Sequence, residues 1–276
     1  MPYTVGMTRV AVVQMVSGKD LEKNLQAASG LIADAARQQA ELVLLPEYFP
    51  IISDDEMDKI KIREAYGNGP IQTFLSEQSR RHGIWLMGGT LPLETDDSNR
   101  VYNSCLLYDP QGNITNRYDK VHLFDVNVDG SGNESYNESS SIVPGDTIVT
   151  AITPFATIGM TVCYDLRFPE LYREMIDKQV NLITVPSAFT YTTGKHHWET
   201  LLKARAVENL CFVMAANQGG KNTDKRTTWG HSMIISPWGD ILAGIDEGPG
   251  VAVADLDFQA QEKLRKSFPT LQHRKF

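Results

Sequence analysis

Gly159-Met160-Thr161-Val162-Cys163-Tyr164-Asp165-Leu166-Arg167-Phe168-Pro169-Glu170 is the stretch whose reading decides the fold. The apolar run Ala156 to Cys163 ends at the cysteine, polar residues follow, and Pro169 with Glu170 and Glu174 opens a helical segment. This predicts a strand, a turn and a helix, the repeating unit of an α/β protein. The thiol then sits at the mouth of a sheet, near a helix N-terminus whose partial positive charge favours a thiolate. On this local context alone, Cys163 serves equally as a nucleophile or as a small core residue.

The same pattern extends in both directions. Thr8 to Met15 is a nearly continuous apolar run of buried-strand type. From Asp20 to Gln39, apolar Leu21, Leu25, Ala28, Leu31, Ile32 and Ala35 recur at helical spacing. Glu41 to Leu45 predicts a second strand, stopped by Pro46, and a helix follows from Gly69-Pro70 to about His82. Ile84 to Gly89 and Tyr102 to Tyr108 read as strands, with a hairpin turn at Asp109-Pro110-Gln111-Gly112. Phe124 to Gly145 lacks periodicity and is rich in Asp, Asn, Gly and Ser, which predicts a long functional loop. Downstream of Cys163, a helix is expected over Glu170 to Lys178 and a strand over Leu182 to Val185. A further helix over His196 to Asn209 leads to a strand over Cys211 to Ala215. Pro186-Ser187-Ala188-Phe189 after one strand echoes Pro46-Glu47-Tyr48-Phe49 after another. Two such halves predict two packed sheets with helices outside, in one domain spanning residues 1–276.

Bulk properties exclude several classes. The 276 residues carry a net charge of −8, which argues against nucleic acid or an acidic membrane as partner. No apolar stretch approaches membrane-spanning length, and no basic region precedes a long apolar run at the N-terminus, so no signal peptide is expected. Three cysteines, Cys105, Cys163 and Cys211, make an odd count that does not read as a disulfide framework. Free thiols fit a reducing compartment, and a cytoplasmic location is expected. Asp125-Val126-Asn127-Val128-Asp129-Gly130 resembles the opening of a calcium loop, but Tyr136 stands where that loop needs glutamate. His196 and His197 are adjacent, so a helix points them apart. No paired-cysteine zinc spacing occurs either, and no metal site is expected.

Three further residues have surroundings suited to acyl transfer. Glu47 follows a buried strand and a proline, between Leu44, Leu45, Tyr48 and Phe49. A poorly solvated carboxylate there should have a raised pKa, which suits a general base, but taken singly the residue reads first as a strand-end glutamate in a salt bridge. Lys120, in Tyr118-Asp119-Lys120-Val121-His122, is either a solvated lysine or an ammonium that stabilises an oxyanion together with the Tyr164 N–H. Glu138, in Glu138-Ser139-Ser140-Ser141-Ile142-Val143-Pro144-Gly145, is a solvated loop residue or a second carboxylate that orients the lysine.

Leu44-Leu45-Pro46-Glu47, Tyr118-Asp119-Lys120-Val121-His122-Leu123-Phe124 and Val162-Cys163-Tyr164-Asp165-Leu166-Arg167-Phe168-Pro169-Glu170-Leu171 resemble the three catalytic motifs of the nitrilase superfamily, in the family's order. The resemblance runs from Val10 to the C-terminus. It implies a four-layer α-β-β-α sandwich and a metal-free, cofactor-independent thiol amidase working through a thioester. By carry-over, Glu47 is the base, Lys120 the acid and oxyanion stabiliser, Cys163 the nucleophile and Glu138 the second glutamate. Tyr164 completes the oxyanion hole. Pro186-Ser187-Ala188-Phe189, Thr193 to Glu199, Arg205 to Asn209, Gly230-His231-Ser232-Met233 and Pro237-Trp238-Gly239 resemble the Nit branch, whose members hydrolyse the amide of deaminated glutathione or of α-keto acids. Gln218, Glu247-Gly248-Pro249-Gly250 and Pro269 to Arg274 point to the deaminated glutathione type. An omega-amidase, a general aliphatic amidase and a catalytically silent interaction module of the same fold are the alternatives. His196 departs from the branch, which usually has a small residue there, with consequences expected for the pocket. Arg167, Phe189 and Thr193 are the expected substrate-binding residues. A guanidinium engages a carboxylate with two hydrogen bonds, but Arg167 is equally placed for an ion pair with Glu170 or Asp165. The family habit of stacking sheets between subunits implies a homodimer or higher homo-oligomer.

Overall fold

The computed structural model describes residues 6–128 and 134–275. Asp129-Gly130 of the calcium-like stretch lies outside the described residues. In chain order the first half contains β1 (Thr8–Gln14), α1 (Leu21–Arg37), β2 (Leu42–Leu44), the one-turn α2 (Asp58–Lys61), α3 (Pro70–His82), β3 (Trp85–Met87), β4 (Leu91–Glu94), β5 (Val101–Tyr108) and β6 (Ile114–Asp119). A hairpin of β7 (Asp125–Val128) and β8 (Glu134–Asn137) leads to the second half. That half contains β9 (Thr150–Ile152), β10 (Thr157–Met160), α4 (Pro169–Ile176), β11 (Leu182–Ser187), α5 (Tyr191–Asn209) and β12 (Phe212–Asn217). It ends with β13 (Gly219–Lys221), β14 (Thr227–Trp229), β15 (Met233–Ile235), β16 (Ile241–Gly244), β17 (Gly250–Leu256) and α6 (Phe258–Ser267).

A seven-stranded sheet has the order β17-β1-β2-β3-β5-β4, with β6 paired to β5, and a six-stranded sheet has the order β16-β15-β12-β11-β10-β9. The parallel strands β1, β2 and β3 form the centre of the first sheet, and β10, β11 and β12 that of the second. Alternation along β1 shows the layering. Val10 and Val12 point into a core shared with Ile158, Leu182 and Val213 of the second sheet. Ala11 and Val13 point the other way, against Ala28, Ile32, Ile71 and Leu75 of α1 and α3. Leu171, Met175, Trp198 and Leu202 of α4 and α5 cover the outer face of the second sheet. The order is helix, sheet, sheet, helix, and strands buried on both faces account for their unbroken apolar runs. Fully burying one such side chain contributes roughly 1.5–3 kcal/mol.

Two expectations need correction. The stretch from Phe124 to Gly145 is not an unstructured loop, because Asp125–Val128 and Glu134–Asn137 pair as an antiparallel ladder. Helix α5 begins at Tyr191, five residues before His196. Thr190 caps it by accepting from the Thr193 N–H at 3.2 Å, and this cap outweighs the poor helix propensity of Thr192, Thr193 and Gly194.

Candidate active site

The strand ends of both sheets meet at one cavity. Past β2 the chain turns at Tyr48, whose φ of 55° is left-handed. The Thr90 hydroxyl accepts from the Tyr48 N–H at 2.9 Å. Gly89 packs so close beneath that an added Cβ would lie 2.1 Å from the Pro46 carbonyl oxygen. Buried Gln218 donates to the Glu47 carbonyl at 3.1 Å. These contacts fix the Glu47 side chain, which is 1% exposed. Its surroundings are polar rather than the apolar cage that its sequence neighbours imply. Asn103 Nδ2 and Lys120 Nζ each donate to Oε1 at 3.0 Å, and the Ala188 N–H donates to Oε2 at 2.9 Å.

Lys120 follows β6, and its backbone N–H donates to the Asn103 carbonyl at 3.1 Å. The ammonium is 2% exposed and lies 2.9 and 2.8 Å from the two oxygens of Glu138. Glu138 accepts further from the Phe124 N–H at 2.7 Å and from the Tyr48 hydroxyl. Burial opposes every charge here, and pairing decides the outcome. Burial works to lower Lys120, but Glu138, Glu47 and Cys163 together hold it above an ordinary lysine. Burial works to raise Glu138, but Lys120 and its other donors hold it below an ordinary glutamate.

Cys163, 8% exposed, has a left-handed φ of 50° and opens a 3₁₀ turn over Cys163–Arg167. Such backbone costs roughly 1–3 kcal/mol for a non-glycine residue and persists where the surroundings enforce it. Asp165 is the enforcing group. Its carboxylate accepts from the Val162 N–H at 2.8 Å, the Tyr118 hydroxyl at 2.7 Å and the His122 N–H at 3.0 Å. It thereby staples the cysteine turn to the segment carrying Lys120. Arg205 adds a second clamp, donating to the Leu166 carbonyl at 3.0 and 2.7 Å.

The thiolate expected from a helix N-terminus is not favoured. Pro169 starts α4 six residues beyond the cysteine. Burial, followed by the Glu47 charge and its hydrogen bond, pushes the Cys163 thiol well up, and Lys120 only partly opposes this. Cys105 is also pushed up by burial, and Cys211 to about 11. Both are fully enclosed.

Glu47, Lys120, Glu138, Cys163, Tyr164, Arg167, Phe189 and Thr193 all line the cavity, whose empty volume is about 520 Å³ including its mouth. Arg167 forms no ion pair with Glu170 or Asp165 among the described residues. Instead it lies over the rings of Tyr164 and Phe189 and 3.3 Å from His197 Nδ1. His196 is exposed and absent from the lining. Sequence reasoning missed Tyr48, Asn103, Asp165, the Ala188 N–H and the lining residues Lys59 and Arg226. Tyr118 and His122 around Lys120, and Asp165 two residues after the cysteine, carry the signal that could have found the staple. Among the described residues, no group of three or more His, Cys, Asp or Glu side chains is arranged to hold a metal ion. No described helix is long and apolar enough to cross a membrane.

Comparison with known proteins identifies this arrangement. Residues 9–266 match the carbon-nitrogen hydrolase family model. A deaminated glutathione amidase of Synechocystis sp. (strain PCC 6803 / GT-S) is 42% identical over 270 residues, covering 96% of this chain and 97% of the relative. The deaminated glutathione amidase of Homo sapiens is 37% identical, covering 96% of this chain and 82% of the human protein. The crystal structure of Saccharomyces cerevisiae Nit3, a member of branch 10 of the nitrilase superfamily, superposes with a TM-score of 0.87 at 30% identity, covering 98% of this chain and 97% of Nit3. The chain belongs to the carbon–nitrogen hydrolase family of the nitrilase superfamily, hydrolases of carbon–nitrogen bonds other than peptide bonds.

Proposed function

We propose that Cys163, Glu47 and Lys120, with Glu138 behind the lysine, hydrolyse the amide of deaminated glutathione or a related α-keto acid through a thioester. One observation carries this reading: the Cys163 thiol shares one cavity with a Glu47 carboxylate, whose charge helps hold the thiol up and which also accepts from Lys120 at 3.0 Å. A protonated thiol beside a carboxylate calls for general base catalysis. Cys163 Sγ attacks the amide carbonyl as its proton passes to Glu47. The oxyanion takes hydrogen bonds from Lys120 and the Tyr164 N–H, which lies in the first turn of the 3₁₀ segment, where amides lack an intrahelical acceptor. Lys120 already donates to three carboxylate oxygens, so one of these contacts must give way for an ammonium proton to face the oxyanion. The C–N bond breaks, the nitrogen takes the proton held by Glu47, and the amine departs. Water, deprotonated by Glu47, then cleaves the thioester and the proton returns to sulfur.

Arg167, Phe189 and Thr193 form the wall that receives the α-keto acid carboxylate. The cavity excludes bulk water from three charged groups, which strengthens each interaction. We assign the protein to the cytoplasm, with its three unpaired cysteines, and read it as a single domain. We also propose that it is a homodimer or larger homo-oligomer. Trp238, 60% exposed, stacks edge-on against the exposed Phe268, with exposed Val207 and Leu242 also left for a second copy to cover.

Intact-mass measurement during turnover of deaminated glutathione tests the mechanism. A transient acyl adduct on Cys163 is expected; turnover with the adduct on another residue would refute it.

A further inference from the structure

Arg226 is a half-buried cation, with its Nε fully enclosed, that the mechanism above does not use. It lies just before β14, with its N–H donating to Thr223 Oγ1 at 2.9 Å and its carbonyl accepting from Asn222 and Thr223 at 3.0 and 3.2 Å. Backbone anchoring at both ends directs the side chain inward, over the ring of Tyr48 at 5.7 Å. The buried Nε has no hydrogen-bond partner, and among the described residues the guanidinium forms no ion pair. The neighbouring carboxylates are already engaged: Glu56 pairs with Lys59, Glu138 and Glu47 with Lys120. A buried guanidinium edge without an acceptor is costly, and a planar carboxylate is the group that best fills it.

Its position says which part of a substrate it meets. Arg226 and Tyr48 stand where the main cavity joins a second cleft of about 260 Å³, floored by Ile51, Ile52 and Ser53. Arg167 belongs to the main cavity alone. Glu47, which must protonate the departing nitrogen, directly precedes Tyr48. A leaving amine that runs from Glu47 past Tyr48 reaches Arg226 at this junction, and an acyl part on the other side of the cavity reaches Arg167.

We propose that Arg226 binds a carboxylate at the far end of the leaving amine and so helps determine which amides the enzyme prefers. This rests on the amidase reading and adds to it the recognition of the leaving group. Lys59, over the same ring at 5.2 Å, adds positive field at the junction.

Calorimetry on the full chain tests this without turnover. The Cys163→Ala protein is titrated with deaminated glutathione and with its C-terminal carboxamide. It should bind the acid on the order of 10- to 100-fold more tightly than the carboxamide, the range for one charge-assisted contact. Adding Arg226→Met should bring that ratio close to one, and Arg226→Lys should restore part of it. Equal binding of the two ligands by Cys163→Ala, no binding of either, or a preference that survives Arg226→Met overturns the proposal. Turnover of deaminated glutathione by the unaltered enzyme, read as cleavage of its amide, tests the amidase reading separately. Its failure alongside preserved discrimination would sink that reading and leave Arg226 standing.

Discussion

The segment that follows β2 and the one that closes β11 share a proline, a small or acidic residue and an aromatic one, yet they contribute different chemistry. The first, Pro46-Glu47-Tyr48-Phe49, presents a carboxylate, and its sheet also contributes Lys120 from the end of β6. The second, Pro186-Ser187-Ala188-Phe189, presents a backbone N–H and an aromatic wall, and its sheet contributes Cys163. The two echoes touch where the Ala188 N–H donates to Glu47 at 2.9 Å. One sheet thus supplies charge and the other a neutral thiol with amide dipoles. Neither half holds the proposed nucleophile beside its proposed base until the sheets pack.

Breaking the second sheet's contribution should have the largest effect. Cys163→Ala is expected to abolish amidase activity while far-ultraviolet dichroism stays unchanged; residual turnover would move the nucleophile elsewhere. On the first sheet, Glu47→Gln keeps the contacts to Asn103 and Lys120 but removes the base. A fall in kcat of roughly 10²- to 10⁴-fold is expected, and a loss under tenfold would mean the thiol ionises without help.

Glu138→Gln separates positioning from chemistry. It should lower kcat by about 10- to 100-fold and destabilise the fold by about 2 kcal/mol, as a charged hydrogen-bonded group is lost. Because the folded Glu138 carboxyl lies below its unfolded value, its stabilisation is present at neutral pH and is lost as pH falls through the folded value. The gap in urea midpoint between the unaltered protein and Glu138→Gln should therefore narrow below about pH 4; a constant gap would contradict the pairing with Lys120. The smallest effect is expected from Thr190→Ala, which removes the cap of α5 at a cost of about 1 kcal/mol by urea unfolding. A much greater loss of turnover than of stability would make Thr190 a substrate contact instead.

The sequence revealed what depends on local pattern. The run at β1, the 3.6-residue spacing of α1 and the proline after β2 each act through neighbours in the chain, so these elements were legible, whereas β11 runs two residues past Val185, through Pro186. The hairpin β7–β8 was not, because its few alternating residues are masked by Asp and Asn, which are poor strand formers. The start of α5 was hidden because its cap works through one threonine against weak helix formers. Within the site, family motifs pointed to Glu47, Lys120, Cys163 and Glu138. Asp165 and Asn103 escaped notice because each bridges segments far apart in sequence, the Tyr118–Asp165 bond spanning 47 residues and the Asn103–Glu47 bond 56. Arg167 looked ready for Glu170 or Asp165 only because sequence proximity ignores direction.

The burial that keeps the Cys163 sulfur protonated has a consequence for survival in an oxidising challenge. Peroxides attack thiolates, and the climb from sulfenic to sulfinic and sulfonic acid begins only from that form. A thiol pushed up by burial offers such oxidants less thiolate than an ordinary cysteine. On the proposed mechanism, the arrangement that makes Cys163 depend on Glu47 also slows its oxidation, an outcome that peroxide inactivation rates can check.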